Sequence, residues 1–133
     1  MVSEKDTRST PIRLLLIDDE VGYVNVLSNR LSKRNFLVGK ATSGSEAFQI
    51  LRQKDFDVAV LDLKMEDMDG IEILKILKKM APELAVIMLT GHGSAEAAHE
   101  GIKQGAYDYL TKPCELDELI EKIRKAYTQQ SAD

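Results

Sequence analysis

Four short apolar runs each stop at a residue able to do ionic or hydrogen-bonding chemistry. Ile12 to Ile17 stops at Asp18-Asp19, Val58 to Leu61 at Asp62, Leu84 to Leu89 at Thr90, and Tyr107 to Leu110 at Thr111-Lys112. If these runs are parallel strands, the residues that end them share one edge of a sheet, the edge at which open α/β sheets bind ligands. Three carboxylates converging in one crevice repel each other unless a cation joins them. A donor set of hard oxygens, with no His or Cys beside it, favours Mg2+, which takes carboxylates and keeps several waters. Lys112 adds a positive charge at the same edge and Thr90 a hydroxyl. A metal, an ammonium and a hydroxyl around a carboxylate describe a phosphoryl-transfer site, in which the carboxylate can be the nucleophile and become an aspartyl phosphate.

The elements that must hold these residues follow from periodicity. The apolar runs are too short for helices. Between them lie stretches with helical spacing: Val24, Leu27 and Leu31; Ala47, Ile50 and Leu51; Ile71, Leu74 and Leu77; Ala95, Ala98 and Ile102; and Leu116, Leu119, Ile120 and Ile123. Residues 36–40 make a weaker second strand. Ser43 and Glu46 form a capping box at the start of the second helix, and Asp69-Gly70 reads as a turn before the third. Gly91 and Gly93 loosen the loop before the fourth helix, near 94–104, and the last helix is placed at 115–127. Five strands alternating with five helices predict an α/β fold: a doubly wound five-stranded parallel sheet with right-handed crossovers, flavodoxin-like. The order 2-1-3-4-5 is taken from precedent for such sheets. It puts the first and third strands side by side, so that Asp18, Asp19 and Asp62 meet.

Composition narrows the function classes. The chain has 133 residues, enough for one domain, with 44% hydrophobic and 30% charged residues and a formal net charge of −4. It divides into a polar lead (1–10, ended by Pro11), a domain over 11–127 and a tail over 128–133. With no Trp, few aromatics and no basic run, direct nucleic-acid binding is not expected. The single cysteine, Cys114, has neither an internal partner nor zinc-site spacing and reads as a small buried or half-buried filler. No stretch is apolar enough for a membrane span and the N-terminus lacks a secretory core, which leaves the cytoplasm as the default compartment.

Leu16-Ile17-Asp18-Asp19-Glu20, Leu61-Asp62-Leu63-Lys64-Met65, Met68-Asp69-Gly70, Leu89-Thr90-Gly91 and Tyr109-Leu110-Thr111-Lys112-Pro113 together resemble the response-regulator receiver domain of two-component signalling, over roughly residues 12–126. The resemblance implies that Asp62 accepts a phosphoryl group from a sensor histidine kinase or phosphotransfer protein, and that the chain catalyses only its own phosphorylation and dephosphorylation. It implies that Asp19, Asp62 and the Lys64 backbone carbonyl hold Mg2+, with Asp18 binding directly or through water. Thr90 and Lys112 would contact phosphoryl oxygens, and Pro113 would follow a cis peptide that aims Lys112 into the site. Thr90 and Tyr109 would form the switch. The face made by the fourth helix, fifth strand and fifth helix would then bind an effector or a second copy. Lys64 and His92, each two residues beyond a site residue, are expected to overhang the phosphoryl group. One departure is visible: many receivers have proline just before the position of Asp67, where this chain has Glu66.

Other readings compete. Asp18-Asp19 alone would be best read as a helix N-cap, and Tyr109 as a simple edge-strand aromatic. His92, Glu96 and His99 share a helical face that could hold a transition metal, although a solvated face explains them better. At the level of function, the alternatives are a small Mg2+-dependent phosphohydrolase with an aspartyl nucleophile, a flavin mononucleotide carrier, and a degenerate receiver used only for docking. The acids here are adjacent rather than spaced Asp-x-Asp, the anionic first loop would repel a flavin phosphate, and the acid, Thr and Lys set is complete.

Overall fold

The computed structural model describes residues 10–91 and 95–132, with side chains to 129. The lead through residue 9, His92, Gly93, Ser94 and Asp133 lie outside the described residues. The strands are β1 (Ile12–Ile17), β2 (Phe36–Ala41), β3 (Val58–Asp62), β4 (Ala85–Thr90) and β5 (Asp108–Thr111). The helices are α1 (Val21–Ser32), α2 (Gly44–Gln53), α3 (Gly70–Met80), α4 (Ala95–Lys103) and α5 (Leu116–Ala132). All pairings are parallel, in the order β2-β1-β3-β4-β5.

The central strands are apolar on both sides because both sides are covered. Alternate residues of β1 enter different cores. Leu14 and Leu16 pack with Leu27 and Leu31 of α1 and Leu119, Ile120 and Ile123 of α5. Leu15 and Ile17 pack with Ala47 and Phe48 of α2 and Ile73, Leu74 and Leu77 of α3. Helix α4 lies on the second side, where a methyl group on Gly101 would overlap the side chain of Met88.

The helix starts show how local sequence sets the frame. Ser43 caps α2 by accepting from the Glu46 N–H at 3.0 Å. The Glu46 carboxylate reaches back to the Thr42 N–H at 2.6 Å, one residue earlier than a standard capping box. Asp69 is more than a turn residue: it caps α3, accepting weakly from the Ile71 N–H at 3.4 Å. A Cβ at Gly70 would lie 2.5 Å from the Leu63 carbonyl oxygen and 2.6 Å from its Cα, so the chain leaving the site folds back too closely for any side chain there.

Four helices differ from the sequence expectation: in α4 only Ala98 of the expected stripe is buried, while Ala95 and Ile102 are exposed. In α3 the fully buried position is Ile73, whereas Ile71 is half-buried toward Gly101 of α4. In α2, Phe48 joins Ala47 in the core while Ile50 and Leu51 are only partly covered. The last helix continues past residue 127 to Ala132, with Ala126 buried.

Candidate functional site

The strand register delivers three groups to one edge. Ile17 pairs with Leu61 and Asp62 with Leu89, so Asp18, Asp62 and Thr90 stand side by side at the carboxyl ends of β1, β3 and β4. The described residues include four buried polar or charged side chains, and three of them are Asp18, Asp62 and Thr90, at 4%, 6% and 3% exposure. Charge and polarity are therefore concentrated where the strands end. Carboxylate oxygens of Asp18, Asp19 and Asp62 lie within 4.8 Å of one another.

Each carboxylate is held by backbone. Asp18 Oδ1 accepts from the Glu20 N–H at 3.0 Å, and Asp62 Oδ1 from the Lys64 N–H at 3.1 Å. Asp19 Oδ2 accepts from the Glu66 N–H at 3.0 Å. The N-cap residue of α1 is Glu20, without a side-chain cap, so the simple capping reading of Asp18-Asp19 does not describe this loop.

Lys112 is the cation among them. Its Nζ lies 3.0 Å from Asp18, 3.4 Å from Glu20 and 3.5 Å from Asp62, and 4.5 Å from the centre of the Tyr23 ring. The Lys112–Pro113 peptide is cis. Burial opposes the charge on Lys112, but the hydrogen bond to Asp18 and the fields of Asp62 and Asp18 outweigh it and hold its pKa above the ordinary lysine value. Asp62 moves the opposite way. Burial, reinforced by the Asp18 charge, raises its carboxyl above the ordinary aspartate value, despite the Lys64 N–H and the Lys112 ammonium. One ammonium serves two buried carboxylates, and a carboxylate with a raised pKa is a stronger base and nucleophile.

An open cleft of about 450 Å³ exposes the cluster, with Asp19, Asp62, Lys64, Glu66, Gly91 and Lys112 on its walls. Lys64 lines this cleft, while the expectation for His92 falls outside the described residues. Glu96 and His99 are exposed on α4. Tyr109 is half-buried against the α2–α3 core, and the Thr90 hydroxyl points to the Leu110 carbonyl at 3.5 Å. Cys114 is free and half-buried, and burial raises its thiol pKa.

Tyr23 and the Glu66 amide were not found from sequence. Tyr23 sits at an ordinary helical position, and a backbone donor leaves no mark in sequence beyond the absence of proline. The donor chemistry fits a divalent metal: three carboxylates, two of them buried, with one shared ammonium to balance them. No described helix is long and apolar enough to cross a membrane.

Comparison with known proteins agrees with this arrangement. Residues 14–124 match the response regulator receiver domain family. The chain is 36% identical over 121 residues to the transcriptional regulatory protein GlrR of Escherichia coli K12, covering 91% of this chain and 27% of that protein. It is 38% identical over 115 residues to the transcriptional regulatory protein ZraR of Salmonella typhimurium, covering 86% and 26%. The chain thus spans about a quarter of the length of these relatives. Among solved structures it superposes on a CheY-like receiver domain protein from Methanospirillum hungatei JF-1 with a TM-score of 0.88 at 28% identity, covering 92% of this chain and 98% of that one. It also superposes on NtrX from Brucella abortus, crystallised with ADP, with a TM-score of 0.88 at 30% identity, covering 92% and 28%. Sequence, topology and the placement of acids at the strand ends converge: the chain belongs to the response-regulator receiver domain family of two-component signalling.

Proposed function

We propose that Asp62 is the phosphoryl acceptor of this receiver and that Mg2+ is its cofactor. The observation that carries the reading is the buried Asp62 carboxylate, clustered with Asp18 and Asp19 and within 3.5 Å of Lys112, at the floor of an open cleft. Asp19, Asp62 and the Lys64 carbonyl would hold the ion, with Asp18 binding directly or through water. When bound, the ion neutralises the carboxylates and the charge on the phosphoryl oxygens.

The chain's own groups do the rest. An Asp62 oxygen forms the bond to phosphorus while the P–N bond of a phosphohistidine donor breaks and the imidazole takes up a proton. Lys112 is already drawn to Asp62 and pairs with a phosphoryl oxygen. The Thr90 hydroxyl, whose bond to Leu110 is long at 3.5 Å, turns to another. That rotation vacates space beside β5, and Tyr109 moves inward, converting a charge event into a packing event on the face of α4, β5 and α5. The donor is a sensor histidine kinase or phosphotransfer protein in the cytoplasm. The recipient of the signal is an effector domain or a second copy of the receiver. Direct DNA contact is not assigned to this domain, because it is acidic. Turnover is confined to its own aspartyl phosphate, since the cleft is open and carries no enclosing lid among the described residues.

The test is incubation with a small acyl phosphate and Mg2+, read by intact mass. One phosphoryl group should be added, it should be released by hydroxylamine, and chelating the metal should prevent labelling. Labelling that proceeds equally with chelator, or a phosphate stable to hydroxylamine, overturns the reading.

A further inference from the structure

The β3–α3 loop carries a contact that receivers with proline at the position of Glu66 could not make. The Glu66 N–H donates to Asp19 Oδ2 at 3.0 Å. The next residue, Asp67, accepts from the N–H of Gly44, the first residue of α2, at 3.1 and 3.3 Å. The loop leaving Asp62 is thus fastened at consecutive residues, once to the acidic cluster and once to the start of a helix.

We infer that the backbone amide of Glu66 is a positioning donor for metal binding: it fixes the Asp19 carboxylate in its ligating orientation and sets the Mg2+ affinity of the site. The inference rests on the proposed Mg2+ site and goes beyond it, because it assigns the role to an amide rather than to a side chain. Asp19 is the least buried member of the cluster. Asp18 and Asp62 are immobilised by burial, whereas Asp19 depends on a tether to avoid sampling other rotamers. One amide donor occupies one of a carboxylate's roughly four lone-pair sites and leaves the others for a cation. Groups that orient a ligand in this way commonly change metal affinity by about 10- to 100-fold when removed. A single backbone donor on a partly exposed carboxylate belongs at the low end of that range.

The comparison that isolates the amide is Glu66→Pro against Glu66→Ala. Both remove the carboxylate from the cleft mouth, but only proline removes the N–H. Mg2+ titration followed by the amide shifts of Lys64 and of residues 17–20 should give a dissociation constant about tenfold weaker for the proline variant than for the alanine variant. Asp67→Ala, which frees the other fastening, should give a smaller loss in the same direction. A measurement on the unmutated chain makes the idea independent of how the proline variant folds. The Glu66 amide should be protected from hydrogen exchange, and Asp19→Ala should remove that protection while Asp18→Ala should not. Equal affinities for the proline and alanine variants, or a Glu66 amide that exchanges freely in the unmutated chain, overturns the inference. If the unmutated chain shows no Mg2+-dependent shifts at all, the underlying metal site fails instead.

Discussion

Strand β3 has an aspartate at each end, and the two are built oppositely. Asp57, just before the strand, accepts from the Arg13 N–H at 2.9 Å, from Arg13 Nε at 3.1 Å and from Arg13 Nη2 at 2.7 Å. It is one carboxylate matched by one guanidinium in a bidentate fork, and the pairing raises the pKa of Arg13. Asp62, at the other end, is more deeply buried, shares the Lys112 ammonium with Asp18 and has a pKa displaced upward. The rest of the amino edge follows Asp57. There a groove of about 780 Å³ beside α5 is larger than the candidate site, yet three of its four cations have acidic partners, Lys122 with Asp108 at 2.8 Å, Arg34 with Asp117 at 3.4 Å and Lys125 with Glu121 at 4.0 Å. Groove size does not distinguish the two edges. Charge balance does: an amino edge whose ions satisfy each other holds the sheet together, and a carboxyl edge left short of positive charge is ready to receive a cation.

Exchanging each aspartate for asparagine should separate the two roles. Asp62→Asn should abolish labelling by a small acyl phosphate and, without Mg2+, should raise stability by an amount on the order of 1 kcal/mol, because it removes a buried repulsion. Asp57→Asn should leave labelling intact and lower stability by about 1 kcal/mol, the modest value of a partly exposed ion pair. Intact mass and urea unfolding read the two effects. Loss of labelling in both variants would erase the distinction.

The carboxyl end also depends on close backbone packing. Gly70→Ala forces a methyl group against the main chain of Leu63, which cannot rotate away as a side chain could, and should cost about 2–3 kcal/mol in unfolding free energy. A loss below that of Asp57→Asn would show that the loop yields.

Lys112→Ala tests the shared ammonium. It leaves Asp18 and Asp62 buried without a counter-charge, and breaking such a pair costs about 3–5 kcal/mol when fully buried. Lys112 is part-exposed, so roughly 1–3 kcal/mol is expected in the absence of metal. Mg2+ should restore part of the loss, whereas it should do nothing for Asp57→Asn. A thermal shift with and without Mg2+ decides between them.

Much of the carboxyl end was legible in the sequence because each of its residues terminates an apolar run, and the period of a strand fixes which edge its end reaches. Asp18, Asp19, Asp62, Thr90 and Lys112 were found that way. The Arg13–Asp57 fork was not, since nothing in either local pattern joins residues that far apart. The inward face of α3 was misjudged at one position: a stripe of Ile71, Leu74 and Leu77 is good helical spacing, but Ile73, Leu74 and Leu77 is equally good. The choice is made by how α3 sits against the sheet and α4, which is tertiary information. The tethers to Asp19 and Asp62 are backbone donors, which carry almost no sequence signal.

The smallest effect tests the comparison through pH alone. In the unfolded chain Asp62 titrates as an ordinary aspartate, near 3.9. In the folded chain its pKa is higher, from burial first and the neighbouring Asp18 second. The folded state therefore holds its proton more tightly. Asp62 then adds stability that is fully present below the ordinary aspartate value and is lost as pH rises through the folded value. Measured without metal, the advantage of Asp62→Asn over the unmodified chain should be absent in acid, open as pH rises through that window, and level off once pH is above the folded value. Asp57→Asn serves as the control, because it removes the partner of Arg13 rather than a buried repulsion. Urea unfolding of all three proteins across the acidic range supplies the curves. An Asp62→Asn advantage that stays constant with pH would mean that the substitution acts through packing, and the charge deficit assigned to the carboxyl edge would lose its support.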